Sequence, residues 1–295
     1  MKFIDYFDQI YILHLDTLTD RKLSIINHIN EFNLKNITII DALNKNSINI
    51  AKMREDGMLA YSGNSWCKDS LCDDNKICWC GGSGHNDVTN YPGRIAVGFA
   101  HYFAYKDIVK NKYEKCLILE DDFILNKNLN TLWNNLYEDI PEDWELLYFC
   151  NGRKIWINND PSKRSKNDTF TVVNKSFVHS KTGIADAGCY AITFETAKIL
   201  YKNFLPLRAA ADGYLSVHVH PLKIIKNMYV YRGDLSKNGS YAFVCGNNNP
   251  FASCNDLLKI NESENALYNK KELNECLKYI VNNYCFNNID SKYLI

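Results

Sequence analysis

Three consecutive carboxylates are the clearest chemical signal in this chain. Glu120, Asp121 and Asp122 follow the apolar run at 116–119, and apolar residues resume after them. A run this short is typical of a strand buried on both faces, and the carboxyl end of such a strand is where α/β sheets bind ligands. Adjacent anions repel one another unless a cation or hydrogen-bond donors compensate them. The triplet therefore predicts a site for Mn²⁺ or Mg²⁺, with a polar turn as the alternative.

The elements around the triplet predict an α/β fold. Residues 9–40 show a strand, helix and strand pattern, which implies parallel pairing with a right-handed crossover. Gly93 precedes a predicted helix with four apolar residues on one face: Val97, Ala100, Ala104 and Ile108. We expect a mainly parallel central sheet flanked by helices, in a single catalytic domain over 1–295 that ends in a helical tail at 257–295.

A cysteine- and glycine-rich insert at 61–92 interrupts this pattern. It holds Cys67, Cys72, Cys78 and Cys80. Four thiolates could hold Zn²⁺, although a single residue between the last two is not a standard zinc spacing. Two disulfides or free thiols are favoured over zinc.

The composition excludes several classes of partner. The chain has 295 residues, and its 34 Lys and Arg balance 34 Asp and Glu, so no general nucleic-acid or anionic-membrane partner is expected. No apolar run approaches the length of a membrane span. Asp5, Asp8 and Gln9 stand where a signal peptide needs an apolar core, so an intracellular, cytoplasmic protein is expected.

The first strand and turn resemble the opening motif of glycosyltransferase family 25. Within residues 12–22, four residues match that motif: Leu15, Asp16, Asp20 and Arg21. His14 stands where the family usually has Asn. Further segments resemble the family's other motifs and follow in the family's order.

The helix after the insert and the acid triplet continue the resemblance. Residues 93–109 resemble a family helix in which Gly93 and His101 match, while three residues depart from it: Ala96, Val97 and Ala100. Residues 119–122 (LEDD) match the family's Leu-Glu-Asp-Asp motif outright. Three later segments resemble family blocks: 145–154, 187–200 and 206–215.

The resemblance implies a GT-A fold and an inverting, metal-dependent transfer of a hexose. The donor would be a UDP-sugar, most often UDP-galactose or UDP-glucose, used with Mn²⁺. The acceptor would be a hydroxyl of a glycan or of a collagen-like hydroxylysine. By the same resemblance, five positions would bind the donor: Leu15, Asp16, Arg21, Gly93 and His101. For Asp16 and Arg21, the alternative is a carboxylate at a helix start and a solvated arginine in the first turn.

The acid triplet would contribute to both metal and donor binding. We expect Asp122 to bind the metal first, with Glu120 or Asp121 sharing metal or ribose contacts. His218 or His220 would supply a further metal ligand, and Asp234 or water could fill that place instead. For His101, the alternative is a hydrogen-bonded core residue.

Inversion requires a base that takes the proton of the acceptor hydroxyl. Asp212 is the first candidate because it matches a family Asp at a helix start. Asp186 is the second, since it lies just before the block at 187–200. A helix-capping role is the alternative for either residue.

Two other functions remain open at this point. A catalytically degenerate relative would serve as a nucleotide- or glycan-binding protein, and the departures from the family motifs leave room for it. An iron/2-oxoglutarate oxygenase would use His85 and Asp87, with His179 or His218 as the distal ligand. That class has an antiparallel double sheet, whereas this chain opens with a strand, a helix and a strand.

Overall fold

The computed structural model describes more than half of the chain. The described residues are 1–59, 91–123, 125, 128–149, 170–181, 183–184, 187–207, 210–215, 225–231 and, for the backbone alone, 285–286. Several predicted residues lie outside these ranges: the four insert cysteines, His85, Asp87, Asp186, His218, His220 and Asp234.

The first strand, helix and strand form as the hydrophobic pattern predicts. Strand β1 spans Gln9–His14, helix α1 spans Thr19–Glu31, and strand β2 spans Ile37–Asp41. The two strands pair in parallel, with His14 opposite Asp41. Every residue of β1 is buried, as expected for a central strand covered on both faces.

The acid triplet follows a strand that lies beside β1. Helix α2 (Ile50–Glu55) and the long helix α3 (Pro92–Asn111) lead into β3 (Lys115–Glu120). Strand β3 pairs in parallel with β1. Helix α3 starts with Pro92 at its first position, where a missing N–H costs nothing, and ends at Lys112 in the left-handed conformation. The predicted buried face of α3 holds for Ala100, Ala104 and Ile108, but Val97 is 41% exposed.

The second half of the chain completes the sheet. Its elements in chain order are α4 (Leu129–Tyr137), β4 (Leu146–Tyr148), β5 (Phe170–Val172), β6 (Phe177–Ser180), β7 (Cys189–Thr193), α5 (Phe194–Asn203), α6 (Ala211–Gly213), β8 (Met228–Tyr231) and β9 (Cys285–Phe286). The strand order in the sheet is β5-β6-β8-β4-β7-β3-β1-β2-β9.

The predicted α/β class is confirmed. The parallel group formed by β3, β1 and β2 meets the rest of the sheet through β7, which runs antiparallel to both β3 and β4. The described strands form this one mixed sheet, not the antiparallel double sheet that the oxygenase alternative requires. In the predicted helical tail, the two described residues form strand β9 beside β2 rather than a helix.

A hydrophobic core lies on each face of the sheet because side chains alternate along the strands. On one face Tyr11 and Leu13 of β1 pack with helices α3 and α5. On the other face Ile10 and Ile12 pack with α1 and α4, where Trp133 is fully buried. None of the helices in the described ranges is long and apolar enough to cross a membrane.

A buried hydrogen bond ties β1 to α3. The Tyr11 hydroxyl donates to Asp107 Oδ2 at 2.7 Å, and both side chains are buried. We expect Tyr11→Phe to lower the free energy of unfolding by about 1–3 kcal/mol, because it leaves a buried carboxylate without this donor. Chemical denaturation measures the change. Tyr113→Phe, at a partly exposed tyrosine of the same region, is the matched control, and an equal effect of both substitutions would contradict the prediction.

Candidate functional site

The carboxyl ends of three parallel strands bring polar residues together at one edge of the sheet. The pairing register places His14 of β1 opposite Asp41 of β2, and Leu13 opposite Glu120 of β3. Chain segments far apart in sequence therefore meet just beyond this edge. This is the side of an α/β sheet on which ligands bind.

Asp121 is engaged inside the protein. His14 Nδ1 lies 3.0 Å from its Oδ2, and the Arg21 guanidinium pairs with its Oδ1. Burial alone would raise the pKa of Asp121, but the His14 hydrogen bond and the positive charge of Arg21 outweigh burial, so the pKa lies below its usual value. The side chain is 10% exposed. Both oxygens therefore take part in an internal network. The metal or ribose contact expected of Glu120 or Asp121 stays a prediction.

Glu120 and Asp122 keep their carboxylates at the solvent-accessible side. Their side chains are 34% and 45% exposed. Arg21 Nη2 lies 4.0 Å from Asp122 Oδ2. Partial burial raises the pKa of Asp122, and the negative charge of Glu120 raises it further. The positive charge of Arg21 lowers the pKa of Asp122 but does not outweigh burial and the neighbouring carboxylates.

His101 lies directly behind Glu120. Its side chain is fully buried on α3, its Nδ1 lies 2.7 Å from the Tyr190 hydroxyl, and its Nε2 lies 3.4 Å from Glu120 Oε1. His101 is therefore a hydrogen-bonded core residue, as the alternative predicts, and its contact with the donor stays a prediction.

A cleft of about 420 Å³ opens beside Glu120. Its walls come from the start of α3, the end of β3, the segment before β7 and the start of α6. The lining residues are Gly93, Arg94, Val97, Glu120, Ala187, Gly188, Ala210, Ala211 and Asp212. The predicted residues Gly93, Glu120 and Asp212 thus share one cavity, and the exposed Val97 belongs to its wall.

Asp212 lies at the start of the short helix α6, in the wall of the cleft. Its Oδ1 accepts a hydrogen bond from the backbone N–H of Gly213 at 2.9 Å. That bond is local and leaves the residue in the wall of the cleft. Asp186 lies outside the described residues, although its neighbour Ala187 lines the same cleft.

Leu15 and Asp16 follow β1 at the same edge of the sheet, but the structure does not join them to the cleft. Leu15 is partly buried and Asp16 is exposed. The Asp16 carboxylate pairs with Lys22, and its backbone N–H donates to Asp41 Oδ1 at 3.4 Å.

Two residues of this region were missed from the sequence. Asp41 ends β2 opposite His14, and burial raises its pKa. The strand, helix and strand pattern could have revealed it, because parallel strands end at the same edge. Arg94 lines the cleft and its guanidinium lies 4.9 Å from the centre of the Tyr91 ring. Its position next to Gly93 was the available signal.

The donor set of the site suits a hard divalent cation bound with substrate. Glu120 and Asp122 offer carboxylate oxygens on the accessible side, which is the chemistry that Mg²⁺ and Mn²⁺ prefer. Within the described ranges, no group of three or more His, Cys, Asp or Glu side chains is arranged to hold a metal ion. Two carboxylates alone fit a cation whose remaining ligands are phosphate oxygens and water.

Comparisons with known proteins place these residues in a family. The sequence model of glycosyltransferase family 25 (LPS biosynthesis protein) matches residues 7–215. Two similar relatives are both named procollagen galactosyltransferase 2. The mouse protein is 24% identical over 240 residues and the human protein is 23% identical over 232. Each match covers 77% of this chain and 33% of the relative, so the chain spans about a third of their length.

A solved structure is also similar, though only distantly. It is described as the crystal structure of mannose-1-phosphate geranyltransferase from Thermus thermophilus. The match covers 76% of this chain and 72% of that one, with 9% sequence identity and a TM-score of 0.36. A similarity of this degree supports no conclusion about the site.

The family match covers well over half of the chain. It runs from before β1 to the end of the described segment after α6. It includes both the acid triplet and the cleft residue Asp212. The chain belongs to glycosyltransferase family 25.

Proposed function

We propose that this chain is a metal-dependent, inverting glycosyltransferase that moves a hexose from a UDP-sugar to an acceptor hydroxyl. Membership of family 25 supports the transferase class. The observation that carries the metal-dependent part is the division of the acid triplet. Asp121 is held inward by His14 and Arg21, while Glu120 and Asp122 are left on the accessible side.

Glu120 and Asp122 are the residues that would hold Mn²⁺ or Mg²⁺. When bound, the cation would neutralise the negative charge that grows on the diphosphate as the sugar bond breaks. Burial raises the pKa of Asp122 and the negative charge of Glu120 raises it further, so a bound cation would favour the ionised form of Asp122. A further ligand from His218, His220 or Asp234 remains a proposal, as does Zn²⁺ at the cysteines of the insert.

The donor would lie between the ends of the parallel strands and the cleft. Arg21 lies near Asp122, the proposed metal ligand, so its positive charge would attract a phosphate oxygen of a donor bound there. Arg94 brings a second positive charge to the cleft wall. Leu15, Asp16 and Asp41 at the ends of β1 and β2 are the candidates for contacts with uridine or ribose. The guanidinium groups of Arg21 and Arg94 suit binding of the diphosphate, because a guanidinium can bind phosphate with two parallel hydrogen bonds.

Asp212 is the proposed base. It shares the cleft with Glu120, so a hydroxyl bound there would lie between the base and the donor site. Asp186 is the second candidate, because the residues that follow it line the same wall.

The names of the relatives suggest the first substrates to try. They favour galactose as the sugar and a procollagen-like chain as the acceptor. Within such a chain, the hydroxylysine that the family resemblance implies is the first acceptor group to try. Glucose and a glycan hydroxyl are the alternatives. The test is turnover of a panel of UDP-sugars with Mn²⁺ and with a chelator, read as released UDP. Metal-dependent binding of UDP without hydrolysis or transfer would support a binding protein instead.

We expect Asp122→Asn to reduce metal-dependent release of UDP about 100-fold or more while leaving the fold intact. The amide keeps the size of the side chain but removes the negative charge that binds the cation. Steady-state kinetics over a range of Mn²⁺ concentrations measures the loss, and circular dichroism checks the fold. Asp5→Asn is the matched control, because Asp5 is exposed and precedes β1, whereas the site lies beyond its carboxyl end. Full activity of Asp122→Asn would overturn the metal assignment.

Asp121→Asn should affect stability in a pH-dependent way. The pKa of Asp121 is lowered on folding, so its ionised form stabilises the protein above the unfolded-state pKa of about 3.9. That stabilisation is lost as the pH falls through the lower, folded-state pKa. We expect Asp121→Asn to lower the free energy of unfolding by about 1.5–3 kcal/mol at neutral pH.

The difference between the wild-type protein and Asp121→Asn should shrink as the pH falls below about 4. Urea denaturation at a series of pH values from neutral to strongly acidic measures both curves. Arg21→Gln should show the same trend, because it removes one of the groups that lower the pKa of Asp121. Curves that stay parallel over the whole range would contradict the internal role of Asp121.

Asp212→Asn should slow transfer to an acceptor by about 10²- to 10⁴-fold, because the amide cannot take the proton of the attacking hydroxyl. Binding of UDP with Mn²⁺, measured by calorimetry, should stay close to that of the wild-type protein. Equal losses of donor binding and transfer would show instead that Asp212 binds the donor. An unchanged transfer rate would move the assignment to Asp186.

A further inference from the structure

Three buried polar side chains form a continuous hydrogen-bonded chain behind Glu120. The Tyr105 and Tyr190 hydroxyl oxygens are 2.7 Å apart, and the Tyr190 hydroxyl lies 2.7 Å from His101 Nδ1. His101 Nε2 then lies 3.4 Å from Glu120 Oε1. All three side chains have essentially no exposed surface, whereas Glu120 reaches the cleft. These hydrogen bonds therefore run from the core between α3 and the sheet to the site itself.

We propose that Tyr105, Tyr190 and His101 are positioning residues that hold the Glu120 carboxylate in one orientation toward the cleft. The inference rests on the proposed function, in which Glu120 is a ligand of the divalent cation. It adds a role for two tyrosines, Tyr105 and Tyr190, that were not among the predicted site residues.

The direction of the hydrogen bonds follows from the chemistry of the groups. An ionised carboxylate only accepts hydrogen bonds, so His101 Nε2 must carry a proton to contact Glu120 favourably. In a neutral imidazole Nδ1 is then the acceptor, and the Tyr190 hydroxyl donates to it. The Tyr190 oxygen in turn accepts from the Tyr105 hydroxyl. In this arrangement every donor in the chain has an acceptor.

The reverse arrangement is unfavourable. If Nδ1 of a neutral imidazole carried the proton, Nε2 and Oε1 would present two lone pairs to each other. Burial raises the pKa of Tyr105 and of Tyr190, so both hydroxyls keep the protons that the proposed direction requires.

The backbone holds the members of the chain in place. His101 and Tyr105 are four residues apart on α3 and therefore lie on the same face of the helix. Tyr190 belongs to β7, where it pairs with Ile118 of β3, and its ring stacks on His101 at a centroid distance of 5.6 Å. The Glu120 backbone N–H donates to Gly188 O at 2.9 Å. Both the backbone and the side chain of Glu120 are thus held by neighbouring elements.

A held carboxylate binds a cation more tightly than one that rotates freely, because less conformational entropy is lost on binding. Groups that orient a metal ligand typically contribute about 10- to 100-fold in metal affinity. The three hydrogen-bonded side chains should therefore raise Mn²⁺ affinity without contacting the cation.

Two substitutions of His101 separate orientation of Glu120 from simple loss of the side chain. The amide nitrogen of His101→Gln can reach the place of Nε2 and donate to Glu120, whereas the shorter His101→Asn reaches only the place of Nδ1. Tyr190→Phe keeps the ring and removes the central hydroxyl, so it tests the hydrogen-bonded connection to Glu120 even if a His101 variant fails to fold. His179→Asn is the matched control on β6, a partly exposed histidine hydrogen-bonded to Lys226 O.

The readouts are calorimetric affinity for Mn²⁺ in the presence of UDP, thermal unfolding, and the ¹⁵N spectrum of the histidine side chains. We expect His101→Asn and Tyr190→Phe to bind Mn²⁺ about 10- to 100-fold more weakly. His101→Gln should retain most of the affinity, and His179→Asn all of it. The wild-type spectrum should show His101 protonated at Nε2 alone, and Tyr190→Phe should change that signal.

The outcomes separate this inference from the proposed function. Wild-type Mn²⁺ affinity in both His101→Asn and Tyr190→Phe would overturn the positioning role alone, as would a wild-type His101 protonated at Nδ1 alone. Absence of any Mn²⁺-dependent binding of UDP by the wild-type protein would overturn the proposed function. It would also overturn the positioning role of Tyr105, Tyr190 and His101.

Discussion

A buried carboxylate at the end of β3 depends on compensation from two other elements. An ionised Asp121 in the interior is costly unless it is paired and hydrogen-bonded. His14 at the end of β1 and Arg21 in the first turn of α1 supply that pairing. The interaction joins three elements at the edge of the sheet where the site lies, and among the described residues it leaves the neighbouring acids without comparable compensation.

The same compensation explains why three consecutive acids need not share one role. The hydrogen bond with His14 and the positive charge of Arg21 lower the pKa of Asp121, so its ionised form is stabilised. Asp122 has a raised pKa because burial and Glu120 oppose its charge. One acid therefore has an internal partner network, whereas the other two are the residues proposed to bind the cation. This contrast is what connects the energetics of the fold to the proposed chemistry.

The opposite wall of the site is built by α3 and β7. Strand β7 runs antiparallel between β3 and β4, which brings Gly188, just before β7, next to Glu120 and places Tyr190 opposite Ile118. Helix α3 then places His101 between Tyr190 and Glu120. The cleft opens where these elements meet the start of α6, so the candidate ligand Glu120 and the candidate base Asp212 share one space.

The sequence alone was sufficient for the features that depend on local pattern. Hydrophobic spacing predicts β1, α1, β2 and the buried strand before the triplet, because burial of apolar faces determines these elements. The family motifs identify the class of enzyme, since their order along the chain is specific. The three acids at 120–122 also predict a charged site, and this prediction requires no knowledge of the fold.

Only the tertiary structure decided how those residues divide their roles. Local pattern does not reveal that Asp121 pairs with His14 and Arg21, about 100 residues earlier in the chain, because the pairing follows from the register of β1 and β3. It also does not reveal that Val97 lines the cleft, since helical spacing alone predicts it to be buried with Ala100. The polar partners of Glu120 are His101 of α3 and Gly188 just before β7, and only the packing of that helix against that strand brings them together.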